Sequence, residues 1–225
     1  MEIVIAGAGN VGRSIARELI ENGRSVMLIE KDGRALKESS VPGATWLHAD
    51  ACELSQLEQA QLQDCQVMVA ATGDDKANLV ISLLAKTEFA VPRVVARVNH
   101  PKNEWMFNEA WGVDVAVSTP RMLTALVEEA VTVGDLVRLM TLEQGKASLS
   151  ELTMAADSPV CGKTVGEVIW PPDTALVAVL REGHVLLPSA QLPLEAGDEL
   201  LVVATADRDA ELDALLSTAH SGGSR

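Results

Sequence analysis

Gly7, Gly9 and Gly12 stand in the spacing G-x-G-x-x-G within Ile3-Val4-Ile5-Ala6-Gly7-Ala8-Gly9-Asn10-Val11-Gly12-Arg13. The chemistry that suits this pattern is the holding of a diphosphate. Gly7 permits a tight bend, Gly9 lets backbone approach a pyrophosphate, and Gly12 lets a helix pack close on a strand. Free N–H groups at the helix start, and the positive end of its dipole, favour the phosphate charge. Glu30 supplies the second signal. It ends the apolar run Ser25-Val26-Met27-Leu28-Ile29-Glu30, 18 positions beyond Gly12, where a dinucleotide-binding unit places the acid that accepts hydrogen bonds from a ribose diol. Alone, the glycines fit any glycine-rich turn; with Glu30 they point to a dinucleotide. The Glu30 charge argues against a 2′-phosphate, although Lys31 beside it opposes that exclusion.

Other polar residues allow two readings each. Asp50, at a strand's carboxyl end, suits a helix N-cap and is also within reach of an adenine, with Ala51 beside it. Thr72 and Gly73 open a second strand–turn–helix facing the same crevice, where they could meet the far half of a dinucleotide. Asp74 and Asp75 fit helix-capping acids better than catalysts. Arg97, near the end of a central strand, is costly to bury unless it meets a carboxylate, a phosphate or another subunit. His100 beside Pro101 reads as structural. The chain has no Tyr, and its four His residues (His48, His100, His184, His220) have no companion constellation. An NAD-dependent oxidoreductase, which needs a proton donor or acceptor near the nicotinamide, is therefore the rival reading.

The elements that must position these residues follow from apolar runs and turn signals. Strands are expected over 3–6, 25–30, 44–49, 67–71, 93–98 and 114–117. Helices are expected over 14–20, 33–38, from 53 onward, 76–86 and near 104–110. The result is α/β: a Rossmann doubly wound parallel sheet. From Pro120 a helix carries Leu123, Leu126, Val127, Ala130, Val131 and Gly134 in a three–four rhythm, suited to subunit packing or to a bridge. Beyond it, strands over 136–142, 147–154, 175–181, 184–187 and 199–204, with a turn at 143–146 and a last helix over 207–216, make a smaller α+β domain. The divisions are 1–118, a crossover helix over 119–135, the second domain over 136–219, and a disordered tail over 220–225.

Composition bounds the class. In 225 residues, 48% are hydrophobic and 22% charged, as in a globular protein with a core. No apolar run approaches the roughly 18 residues needed to cross a bilayer, and with Met1-Glu2 running straight into the first strand no secretory signal is expected. A net charge of −14 and pI near 4.6 argue against a nucleic-acid groove. Cys52, Cys65 and Cys161 lack C-x-x-C spacing, so reduced thiols are expected and no metal site.

Together these pieces resemble the RCK family (regulator of K⁺ conductance), in its TrkA-type branch. The N-terminal marks are Gly7 to Gly12, Glu30, His48-Ala49-Asp50-Ala51, Ala71-Thr72-Gly73-Asp74-Asp75, Ala77-Asn78 and Val95-Ala96-Arg97-Val98. The C-terminal marks are Val160-Cys161-Gly162-Lys163-Thr164-Val165-Gly166-Glu167 and Leu194-Glu195-Ala196-Gly197-Asp198-Glu199-Leu200. The resemblance implies a non-catalytic cytoplasmic regulator of potassium uptake at the inner face of the membrane. It would dimerise through the crossover helix, form a tetramer or larger ring with itself or a sibling RCK subunit, and act on a TrkH-type membrane subunit. By the same likeness Gly7, Ala8, Gly9, Asn10, Val11, Gly12, Glu30, Asp50, Ala51, Thr72, Gly73 and Arg97 hold the nucleotide. ATP-sensing relatives of the Ktr type carry Arg where Asn10 stands, and Glu where Arg121 stands. NAD(H) is therefore expected first and ATP or ADP second, and cyclic di-AMP is a family-level ligand for the second domain.

Overall fold

A computed structural model describes residues 3–131, 133–142, 146–205 and 207–217. The chain divides into two compact units, one up to Pro120 and one from Arg121 onward.

The first unit is built on a six-stranded parallel sheet. Its strands are β1 (Ile3–Ala6), β2 (Val26–Glu30), β3 (Thr45–His48), β4 (Val67–Ala70), β5 (Arg93–Val98) and β6 (Val115–Ser118), in the order β3-β2-β1-β4-β5-β6. This is the doubly wound order, in which the chain reverses direction beside β1 and opens a crevice at the strands' carboxyl ends. Why β1 is apolar at every position follows from that order. Ile3 and Ile5 pack with Ala16 of α1 (Asn10–Glu21) and with Val26 and Leu28. Val4 and Ala6 point the other way, into a cluster with Met27, Met68, Val94 and Leu79 of α3 (Asp75–Thr87). A strand covered on both faces has no polar side. Full burial of a side chain such as Ile5 or Leu28 contributes about 1.5–3 kcal/mol.

Two expected helices are shorter and tighter than the sequence suggests. The 33–38 stretch becomes separate 3₁₀ turns, Gly33–Ala35 and Glu38–Ser40. The stretch near 104–110 becomes Pro101–Met106 and Glu109–Trp111. In both connections i→i+3 bonds close short turns in place of a continuous α-helix. The helix from residue 53 is a single turn, α2 (Leu54–Leu57).

The second unit is an antiparallel sheet of β7 (Val137–Leu142), β8 (Ala147–Thr153), β9 (Thr174–Arg181), β10 (His184–Leu186) and β11 (Glu199–Thr205), in the order β10-β9-β11-β8-β7. Its core gathers Leu152, Val179, Leu200 and Val202 with Leu212 and Leu216 of α5 (Asp209–Leu216). Asp198, fully buried, is held by a bidentate bond from Arg181 (2.6 and 2.8 Å) and by the Glu195 N–H. Ahead of this sheet, α4 (Thr119–Val131) begins two residues before the second unit does and continues into it. Residues 143–145 of the turn expected at 143–146, His220 and the tail over 220–225 lie outside the described residues. Among those described, no helix is long and apolar enough to cross a membrane.

Candidate functional site

The glycine loop connects β1 to α1, and each glycine is held differently. Gly7 has φ +99°, and a Cβ there would sit 2.9 Å from the Thr72 backbone. A Cβ on Gly12 would lie 1.9 Å from the Gly7 carbonyl oxygen, so α1 lies directly on the loop. Gly9 has an ordinary extended backbone, and nothing lies within 4 Å of where its side chain would be. It occupies the N-cap position of α1 and offers no side-chain acceptor, leaving first-turn N–H groups for another partner. The loop is tied down from outside: Gly7 N–H donates to the Ile29 carbonyl (2.8 Å) and Ala8 N–H to Glu30 Oε2 (2.8 Å). Glu30 Oε1 accepts from Asp32 N–H (3.0 Å). Glu30 thus braces the glycine loop while lining the crevice.

The facing wall comes from the ends of β4 and β5. Asn78, with no exposed surface, accepts from the Thr72 N–H (2.9 Å) and hydroxyl (2.6 Å), and its amide donates to the Arg97 carbonyl (2.8 Å). The Thr72 hydroxyl proton is therefore already engaged within the loop. Asp74 caps α3, as expected, accepting from Lys76 N–H. Asp75 does something else. Its buried carboxylate accepts from the Asn99 N–H and side chain, the His100 N–H and the Asn103 side chain, fastening the segment after β5. Arg97 lines the crevice, and its Nε is buried without a hydrogen-bond partner among the described residues.

The third wall is the end of β3. Asp50 is not the N-cap of the helix that follows; Glu53 holds that position, and its side chain makes no capping bond. Asp50 instead closes its own turn, accepting from Cys52 N–H (2.9 Å), and lies 3.9 Å from Lys31 Nζ. Three residues separate it from the helix start, too far for an N-cap side chain, which bonds two or three residues on from the cap position itself. Burial, with the Asp50 charge next, pushes the Cys52 thiol up to about 11. Cys52 therefore stays protonated near neutral pH.

These walls enclose a crevice of about 630 Å³, a size suited to a small organic ligand. Of the residues singled out in the sequence, Gly7, Gly9, Asn10, Val11, Glu30, Asp50, Ala51, Thr72, Gly73 and Arg97 line it. Ala8 and Gly12 do not; they shape the loop behind it. Cys52 and the apolar Ile29 and Ile81 also line the crevice without having been singled out in the sequence, as do Lys31 and Asp74, read there only as a neighbour of Glu30 and as a helix cap. Lys31 and Cys52 were signalled only by adjacency to Glu30 and Ala51. Ile81 sits on α3, one turn beyond Ala77, which shares the lining. No group of three or more metal-ligating side chains gathers among the described residues.

Residues 3–119 match the TrkA-N domain and residues 149–217 the TrkA-C domain. Over 216 residues the chain is 58% identical to the Trk system potassium uptake protein TrkA of Mycobacterium tuberculosis, covering 96% of this chain and 98% of that one. It is 31% identical over 208 residues to a TrkA homolog of Methanothermobacter thermautotrophicus, covering 92% and 95%. Among solved structures, the GsuK channel bound to NAD superposes with a TM-score of 0.66 at 19% identity, over 98% of this chain and 40% of that one. That likeness extends the fold across both units. With both domains matched in order and one relative alike from end to end, the chain belongs to the TrkA family of potassium uptake proteins.

Proposed function

We propose that the crevice takes an adenine nucleotide, NAD(H) before ATP or ADP, as a regulatory signal that is bound and released unchanged. The chain would act as the nucleotide-sensing subunit of a Trk-type potassium uptake system. The observation that carries this reading is the open side of Gly9. Its backbone would admit any residue, so what its missing side chain preserves is room at an uncapped helix start, where a diphosphate is best stabilised. The buried Arg97 Nε supports it, because a guanidinium left with an unmet donor in a crevice calls for an anion. In this reading the 7–12 loop holds the diphosphate and Glu30 the ribose. Asp50 and Ala51 border the adenine, and Thr72, Gly73 and Arg97 meet the far half.

A regulatory role agrees with the family, and the crevice chemistry favours it over the oxidoreductase. Its titratable lining residues are Glu30, Lys31, Asp50, Cys52, Asp74 and Arg97, with no His. The thiol among them stays protonated, Glu30, Asp50 and Asp74 each already accept a backbone N–H, and Lys31 lies 3.9 Å from Asp50, which weakens the case for a proton shuttle. Dimers would form through the crossover segment over 119–135 and assemble into a ring on the cytoplasmic face of a TrkH-type membrane subunit. This reading assigns no ligand to the second domain.

The deciding experiment is mass spectrometry of nucleotide that co-purifies with the chain, followed by calorimetry with NAD, NADH, ATP and ADP. Binding of NAD(H) without turnover of any added carbonyl substrate is expected. Indifference to all four nucleotides, or steady NADH oxidation, would overturn the proposal. Co-purification with a TrkH-type subunit tests the partner separately.

A further inference from the structure

Arg13 lies three residues after Asn10 on α1, so the two share a helix face. Arg13 Nη1 donates to the Ala8 carbonyl (2.5 Å) and Nη2 to Asn10 Oδ1 (2.9 Å). Asn10 lines the crevice; Arg13 does not. A carboxamide has one accepting end and one donating end, whereas a guanidinium only donates. Holding Oδ1 against Arg13 therefore decides which end of Asn10 is left over. The opposite flip would set the side-chain –NH₂ against the guanidinium, donor to donor. Among the described residues no acceptor is paired with Asn10 Nδ2. The same guanidinium fixes the Ala8 carbonyl, while Glu30 holds the Ala8 N–H, so the two peptides flanking the Ala8 Cα are each held.

We propose that Arg13 is a positioning residue that fixes the Asn10 amide with its –NH₂ available to the crevice. Asn10 then adds a neutral side-chain donor for a diphosphate oxygen to the backbone donors at the start of α1. This rests on the nucleotide reading above and specifies how the loop meets a diphosphate when it carries no cationic side chain of its own into the crevice.

Calorimetry on the full chain with NAD, ADP and adenosine tests it. Arg13→Met is expected to weaken NAD and ADP by about three- to tenfold, the effect of one hydrogen bond, and to leave adenosine unchanged. Asn10→Ala should do the same, and the double variant should be no worse than Asn10→Ala alone. Asn10→Asp keeps the bond to Arg13 but presents no donor, so it should also lose NAD and ADP selectively. An Arg13→Met loss that persists in full in the Asn10→Ala background would mean that Arg13 acts by its own charge or through the Ala8 carbonyl and not through Asn10, and would overturn the proposal. An equal loss for adenosine would overturn it too, by showing general damage to the loop. If the parent binds NAD and Arg13→Met binds it equally, this proposal fails and the nucleotide reading stands. If the parent binds none of the three, both fall.

Discussion

The three loop glycines are required by different forces, and the difference can be tested one residue at a time. Gly7 and Gly12 are demanded by the fold, through backbone sign and through contact with the loop's own carbonyl. Gly9 is demanded by neither. Gly9→Val should therefore fold with the parent's thermal midpoint and bind no NAD, and nucleotide retained in the purified variant would refute the loop assignment. Glu30 is the mixed case. Glu30→Ala leaves the Ala8 and Asp32 N–H groups without their acceptor, costing about 1–2 kcal/mol in stability. It should also weaken NAD by about tenfold or more while leaving the dimer intact; equal affinity by calorimetry would count against its place at the ribose. The glycines and Glu30 were legible because their meaning lies in spacing along the chain. The tasks of Asn78 and Asp75 were not, because their partners are up to 28 positions away and only the sheet brings them together.

At the scale of elements, strands were easier to read than short helical turns. Each strand is an apolar run between turn signals, which periodicity detects, but six residues of 3₁₀ turn such as Pro101–Met106 look the same on paper as the start of an α-helix. That segment is held by Asp75. Burial pushes its carboxyl up, but the N–H groups and amides of Asn99, His100 and Asn103 outweigh burial and hold it below its ordinary value. A depressed folded-state value gives stability that is present above the unfolded pKa, about 4, and is lost as pH falls through the lower folded value. Asp75→Ala should thus cost about 1–3 kcal/mol near neutral pH, from two part-buried N–H groups left unmet. Urea unfolding should show the gap to the parent narrowing below about pH 4; a gap independent of pH would contradict the ionised role. Helix α4 makes the opposite case, legible as an apolar stripe but not as to its occupant. Leu123, Leu126 and Val127 are 59%, 54% and 61% exposed, a patch that the proposed dimer would cover. Leu126→Glu should raise the dimer dissociation constant at least about tenfold without unfolding the chain, and a variant that sediments like the parent would argue against the crossover helix as the interface.

For the molecule as a whole, the question is whether a signal held entirely in the first unit can be separated from the stability of the second. Every residue lining the crevice precedes Arg121, while the second unit has its own core and its own buried ion pair between Arg181 and Asp198. Removing Arg181 strands a carboxylate that has no exposed surface. A wholly buried pair broken in this way costs about 3–5 kcal/mol; with the Arg181 side chain 24% exposed, water screens part of that, and about 2 kcal/mol is a fairer expectation. Arg181→Met should therefore lower the unfolding midpoint of the second unit. NAD at one hundred times its dissociation constant should stabilise the first by about 2.7 kcal/mol and raise its midpoint accordingly. If the units are energetically separate, the variant keeps the parent's NAD affinity and calorimetric scans show two transitions, only the first moved by nucleotide. A regulator needs more than that, because a ligand shifts an assembly only by its differential affinity for two states, typically about 1–3 kcal/mol. If the proposed dimer transmits the signal, nucleotide should also move the second transition in the parent, and Leu126→Glu should lose that movement while still binding NAD. A second transition equally insensitive to NAD in dimer and monomer would leave the crevice a binding site with no signal to send.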